Sequence, residues 1–388
     1  MHPAISNLDR AMASISGRMT FILRSTPANL REVFTDLSEE RAPRPYRYRS
    51  CVDDIADLQR DLDAVNIESV EEPSLHALLA RAHLELSLKV EMLRNLGTSR
   101  YLSGSLRVFG DIEDSLLQDA RQLVETIPYS ERVSQGPMLD AAAIQRRGQE
   151  EIDFYAGQMP SFSAQAQIKD GVAAGMVCSR GHLLVDTECE VTPQRIQALL
   201  HHEVGTHLVT YYNGRLQPLT LLAHGMPGYL AMQEGLAVLA EYLAGGIDAR
   251  RLRILACRVI AVRAMLDGAD LSEVFKELMT ECGLTPWIAY RLTSRVFRGG
   301  GLTKDAVYLR GLRSIMELLR RGVELEPLYL GKISFEDLAL VQRLLKRGVL
   351  TPPTVLPRFL SDAGSRERVA KLRTGLTLRE LVKEAPCV

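Results

Sequence analysis

Over most of the chain, apolar residues recur at three- and four-residue spacing, the period of a helix with one buried face. From about Asp53 to Thr126 this pattern is nearly continuous. SLHALLARAHLELSLKVEMLRNLGT predicts one helix, with Gly97 as its C-cap, and DIEDSLLQDARQLVETI predicts another after Gly110. The preceding stretch RAPRPYRYRS predicts extended or loop structure, because each proline disfavours helix in the residue before it. Between Ala164 and Glu190 the period changes. AQAQIKDGVAAGMVCSRGHLLVDTE alternates apolar and polar positions around two turn signals, Asp170-Gly171 and Arg180-Gly181, and predicts three short strands.

Helix then resumes. Thr192 as N-cap and Pro193 at the first helical position start TPQRIQALLHHEVGTHL, and Asn213-Gly214 ends that helix. A second helix is predicted from about Tyr229 to Leu243, stopping at Gly245-Gly246. From Asp248 onward nearly everything reads as helix, apart from the loop RGGGLTK near 298–304. The expected fold class is therefore α+β, predominantly helical, with a small antiparallel or mixed sheet beside the motif helix. The expected organisation is an N-terminal, mostly helical region, 1–145, and a catalytic region, 146–388, that can pack with it as one domain.

Composition narrows the function. Hydrophobic residues are 46% and charged residues 24% of 388, as in an ordinary globular chain. Lys+Arg is 47 against Asp+Glu 48, so there is no basic surplus for nucleic acid or an anionic membrane surface, and neither partner is expected. The six cysteines include no C-x-x-C pair, which argues against a thiolate zinc site or a redox dithiol. The most apolar long stretch, ILACRVIAVRAML, is broken by Arg258 and Arg263, and no secretory signal is visible. A soluble, cytoplasmic protein is the expectation.

The chemistry-bearing residues are His202-Glu203-Val204-Gly205-Thr206-His207. Zinc takes imidazole nitrogens readily, and a catalytic site keeps three protein ligands and one open position. The metal lowers the pKa of a water to about 7, and a nearby carboxylate removes its proton. Glu203 is placed for that second role. The spacing is unusual, however. On a regular helix, residues i and i+5 diverge by about 140°, too far for one ion, whereas i and i+4 diverge by about 40°. The site therefore requires one extra residue in the turn, a π-bulge near Val204–Thr206, where Gly205 would ease the distortion. The third ligand should come from downstream. Glu234, in QEGLA, is the best candidate. Glu241 is on the same helical face and is either a rival or the group that orients a histidine.

HHEVGTH followed by QEGLA, RVFRG and TKDAVYLRG resembles the family that includes the microtubule-associated tyrosine carboxypeptidases, whose bacterial members are usually named flavohaemoglobin expression-modulating QEGLA-motif proteins. The resemblance runs from about PRPYRYRS to the last helices. It implies a zincin-like core, zinc bound by His202, His207 and Glu234, Glu203 as general base, and a peptide or protein C-terminus as substrate. The eukaryotic members remove a C-terminal tyrosine from tubulin, and that substrate is not inherited with the site.

Several quieter features complete the reading. A carboxypeptidase needs a cation for the substrate carboxylate and a donor for the developing oxyanion. Arg298, Lys304 and Tyr308 fall in the resembling segment: Arg298 and Lys304 are candidates to bind substrate, and Arg298 and Tyr308 to assist catalysis. The strand GHLLVD is a candidate edge strand for pairing with an extended substrate. His201 points away from the ligands, His224 lies in a loop that could border the cleft, and His76 and His83 read as structural. The leading expectation is a zinc metallopeptidase of carboxypeptidase type. The alternative is a metal-binding regulatory protein without turnover.

Overall fold

The structure is a computed structural model that describes residues 3–50, 52–129, 136–172 and 174–383. It is predominantly helical α+β, with a three-stranded sheet among the described residues. Among the described residues, no helix is long and apolar enough to cross a membrane. The chain forms two compact units, one from Glu131–Asp248 and Arg310–Val388, the other from His2–Ser130 and Ala249–Leu309.

The predicted helical stretch in the second unit resolves into several helices. Pro73–Arg94 carries Leu78, Leu79, Leu86, Val90 and Leu93 on its buried side, and Glu72 caps its start by accepting from the Leu75 N–H. Gly97 lies just past its end with φ +79, the left-handed conformation expected of a helix-stopping glycine. Ser99–Phe109 and Asp114–Thr126 follow, and RAPRPYRYRS has no regular structure. His83 Nε2 donates to the Leu62 carbonyl at 3.0 Å, a structural contact.

The first unit holds the sheet. β1 (Ala166–Lys169), β2 (Met176–Ser179) and β3 (His182–Asp186) are ordered β1-β3-β2, with β1 parallel and β2 antiparallel to β3. The hairpin between β2 and β3 turns on Arg180 (φ +51) and Gly181 (φ +80), the paired positive φ of a tight two-residue turn. This order corrects one expectation. GHLLVD is the central strand, with its backbone groups already paired on both sides, so it has no free edge for a substrate; the edges are β1 and β2. The helix Ala141–Ala156 lies against the sheet where Gly148 faces Leu183, and a Cβ there would come within 2.6 Å of the leucine side chain.

The motif helix starts at Pro193 as predicted, and a buried helix, Tyr229–Leu243, packs beside it. From Met232 to Leu243 every residue of that second helix is buried. A helix buried all round should be apolar throughout, yet this one carries Gln233, Glu234 and Glu241. The Gln233 side-chain amide lies 3.1 Å from the Thr210 hydroxyl. Gly235 permits a close crossing, since its Cβ would meet the Gly311 carbonyl carbon at 2.4 Å. The two glutamates belong to the site.

Candidate metal centre

The motif helix changes geometry where the spacing required it. Pro193–His202 is α-helical, Glu203–Leu208 is a π-helical turn, and Val209–Arg215 is α-helical again, so the helix runs past Asn213-Gly214. With i→i+5 hydrogen bonding, residue i+5 rather than i+4 stands one turn on. His202 and His207 thus fall on one side, with ring centroids 5.1 Å apart and planes at 82°. The Thr206 hydroxyl donates to the His201 carbonyl at 3.0 Å, and Thr210 donates to the Thr206 carbonyl at 2.7 Å. Gly205 is not needed for space: a Cβ would meet Tyr155, His201 and Phe359 only at 3.5–3.6 Å, ordinary contact.

The two buried glutamates of the neighbouring helix address different nitrogens. Glu234 Oε2 lies 3.9 Å from His202 Nε2 and 3.8 Å from His207 Nε2. Two ligands of a tetrahedral zinc, each about 2.0–2.1 Å from it, stand roughly 3.4 Å apart, so these three atoms could close on one ion with a small side-chain adjustment. Glu241, one heptad on, has no exposed surface. Its Oε1 lies 2.8 Å from His202 Nδ1, and its Oε2 accepts from Arg195 Nη2. Arg195 also donates to the Gly246 carbonyl at 2.8 Å. An Nδ1–H donated to Glu241 leaves the His202 Nε2 lone pair directed at Glu234, the carboxylate–histidine arrangement that fixes a metal-binding tautomer.

Glu203 completes the group. Ligand atoms of His202, Glu203 and His207 all lie within 4.8 Å of one another, so Glu203 is a geometric rival to Glu234 as the carboxylate ligand. Its Oε2 is already engaged, accepting the Cys178 N–H of β2 at 2.9 Å, while the Cys178 thiol donates to the Glu203 carbonyl at 3.1 Å. Burial raises the Glu203 carboxyl above its usual range. The His202 ring opposes this and the Glu234 carboxylate adds to it.

His201 turns to the opposite side. It is buried, 2.9 Å from Gln197 and 3.5 Å from Glu151, with Phe359 edge-on to its ring. His224 ends the short helix Leu221–His224, half-buried and edge-on to Tyr211. Arg298, Lys304 and Tyr308 belong to the second unit. There Arg298 and Lys304 are buried, and Lys304 Nζ is 3.5 Å from the Tyr308 hydroxyl. Arg258 lies over the Tyr308 ring. Burial pushes the neighbouring Asp305 carboxyl up, but Arg295, donating twice to it at 2.6 and 2.7 Å, and Arg258 hold it well below the usual carboxylate range.

Sequence reasoning missed Arg195 and Cys178. Arg195 carried a signal: an arginine seven residues before His202, on the same helical face, in a helix whose neighbours are apolar. Cys178 carried none, because its part is played by a backbone N–H.

Two imidazoles and a carboxylate with ligand atoms 3.8–3.9 Å apart, and a second carboxylate beside them, are a donor set that could hold a divalent metal. The family model for microtubule-associated tyrosine carboxypeptidases matches residues 32–376, and the chain belongs to that family. The family activity is that of a carboxypeptidase, a peptidase acting on a protein with a C-terminus. Searches of curated proteins and of solved structures each found no match.

Proposed function

We propose that the chain is a zinc-dependent metallocarboxypeptidase, with the ion held by His202, His207 and Glu234. The observation that carries this reading is Glu234 Oε2 standing nearly equidistant, at 3.9 and 3.8 Å, from the Nε2 atoms of both histidines. Glu234 is the better third ligand than Glu203, because Glu203 already accepts from β2 and sits beside the histidines, where a base is wanted. The donor set of two imidazoles and one carboxylate suits zinc. When bound, zinc would polarise the scissile carbonyl and acidify the attacking water.

The remaining steps belong to the chain's own groups. Glu241 and Arg195 hold His202 in one tautomer. Glu203 takes the proton from the attacking water and later returns it to the leaving amine; burial, by raising its carboxyl, brings the proton affinity closer to that task. The Cys178 N–H steadies Glu203 between turnovers. β2, an edge strand reaching this carboxylate, is the natural rail for an extended substrate. The substrate is the C-terminal end of a peptide or protein.

Metal analysis with a peptide library varied at its last residue tests the proposal. Wild type should bind one zinc per chain and release C-terminal residues, and a chelator should stop release. Glu203→Gln should keep the zinc and lose hydrolysis; turnover retained in that variant would sink the mechanism.

A further inference from the structure

Exopeptidases differ from endopeptidases in requiring a receiver for the terminal carboxylate, one residue beyond the scissile bond, a span of only about 3.6 Å of chain. None of the groups assigned above within the first unit is a cation free for that purpose, since Arg195 is bound to Glu241. The same unit contains Lys332, in the loop after the helical turn Glu326–Tyr329. Its backbone is pinned on both sides: the Lys332 N–H donates to the Leu222 carbonyl at 2.7 Å, and the Lys332 carbonyl accepts from Met226 at 2.9 Å. Nζ then lies 5.5 Å from the centre of the Tyr211 ring and 6.0 Å from that of Tyr229. Tyr229 is itself seated by Gly225, at φ +122, where a Cβ would strike the ring at 2.3 Å.

Lys332 is therefore a positioned cation. Among the described residues it forms no salt bridge, and its company is aromatic faces. Both rings belong to elements of the site: Tyr211 lies four residues past His207, and Tyr229 opens the helix that carries Glu234. Burial lowers the Lys332 ammonium, while the fields of Cys178 and Glu234 raise it. Burial, Lys332 and Arg215 push the neighbouring His224 ring down to about 4, so it is uncharged at neutral pH, and the exposed Arg215 guanidinium stacks near Tyr211 and Tyr212. A half-buried cation has lost part of its hydration, and two ring faces offset only part of that cost unless an anion meets it. Glu234 is a carboxylate whose field raises it, and metal binding would share that charge with the ion.

We propose that Lys332, held over Tyr211 and Tyr229, receives the terminal carboxylate of the substrate and so restricts the site to chain ends. The inference rests on the peptidase reading above. It names Lys332 where the sequence pointed to Arg298 and Lys304.

The test separates binding from turnover. An acetylated tetrapeptide ending in tyrosine, and the same peptide as its C-terminal amide, are titrated calorimetrically into zinc-loaded Glu203→Gln protein and, in parallel, into metal-free wild type. The free acid should bind at least 10-fold more tightly than the amide, as expected for a charge-assisted contact at a half-buried cation. Lys332→Met should bring the two peptides within about 3-fold of each other, and Lys332→Arg should restore most of the preference. Lys332→Gln serves as a second neutral variant should the methionine perturb the loop. An acid preference that survives both neutral variants, or no acid preference in the proteins that retain Lys332, overturns the assignment. Failure of wild type to cleave any peptide would count against the peptidase reading alone, since the binding comparison stands without catalysis.

Discussion

The sharpest test of the site's construction is Glu241→Gln, which keeps shape and removes charge. In the structure one carboxylate oxygen accepts from Arg195 and the other faces His202 Nδ1 at 2.8 Å, so both neighbours are donors. A glutamine offers one acceptor and one donor. If its oxygen turns to Arg195, its NH2 faces Nδ1, the imidazole proton moves to Nε2, and that nitrogen can no longer take a metal. If its oxygen turns to His202, NH2 meets guanidinium and a buried arginine loses its anion. Breaking a buried pair in this way costs about 3–5 kcal/mol. Loss of a carboxylate that orients a ligating histidine typically costs 10- to 100-fold in metal affinity, about 1.4–2.7 kcal/mol. Zinc affinity is measured by competition with a chromophoric chelator, and stability by denaturant melts of the metal-free protein. Arg195→Met added to Glu241→Gln removes the competing donor and should recover much of the zinc affinity, though not the stability. A Glu241→Gln protein that binds zinc as tightly as wild type would refute the role given to this network.

Three further outcomes follow. Gly205→Ala should keep zinc and lose less than about 1 kcal/mol in a denaturant melt, because the Cβ meets only ordinary contacts and alanine favours helix over glycine; a lost metal site would mean the turn depends on glycine flexibility after all. Gly235→Ala should destabilise by about 1–3 kcal/mol or more, because its Cβ would lie 2.4 Å from the Gly311 backbone; an unchanged melt would show that the crossing is slack. His224 should make the fold acid-sensitive. Its folded value, about 4, lies below its ordinary 6.5, so its contribution is complete above pH 6.5 and is lost as pH falls toward 4; the total is below about 3.4 kcal/mol once solvent screening is counted. His224→Gln should flatten the stability profile between pH 6.5 and 4, and an unaltered slope would exclude His224 as its source.

The local rules were legible because they are local. Hydrophobic spacing and caps located the Pro193 and Tyr229 helix starts, and the Arg180-Gly181 turn, without any knowledge of neighbours. The need for a widened turn between His202 and His207 followed from helix geometry alone, and the π-turn at Glu203–Leu208 meets it. What misled was strand position. GHLLVD has the alternation of a strand, but alternation reports faces, not which edge is free, and β1 takes the second edge of β3 through a parallel pairing that no turn signal announces.

By itself, the sequence determined the helical class, the place of the sheet and the pairing of two histidines with an adjacent carboxylate, because these depend on residues within a turn or two of one another. Only the tertiary structure decided that Glu234 faces the Nε2 atoms while Glu241 faces Nδ1, that Arg195 secures Glu241, that a β2 amide holds Glu203, and that Lys332 lies over Tyr211 and Tyr229. Those contacts join residues 25 to 121 positions apart. Their geometry is set by how buried helices and an edge strand pack, which no periodicity in the chain encodes.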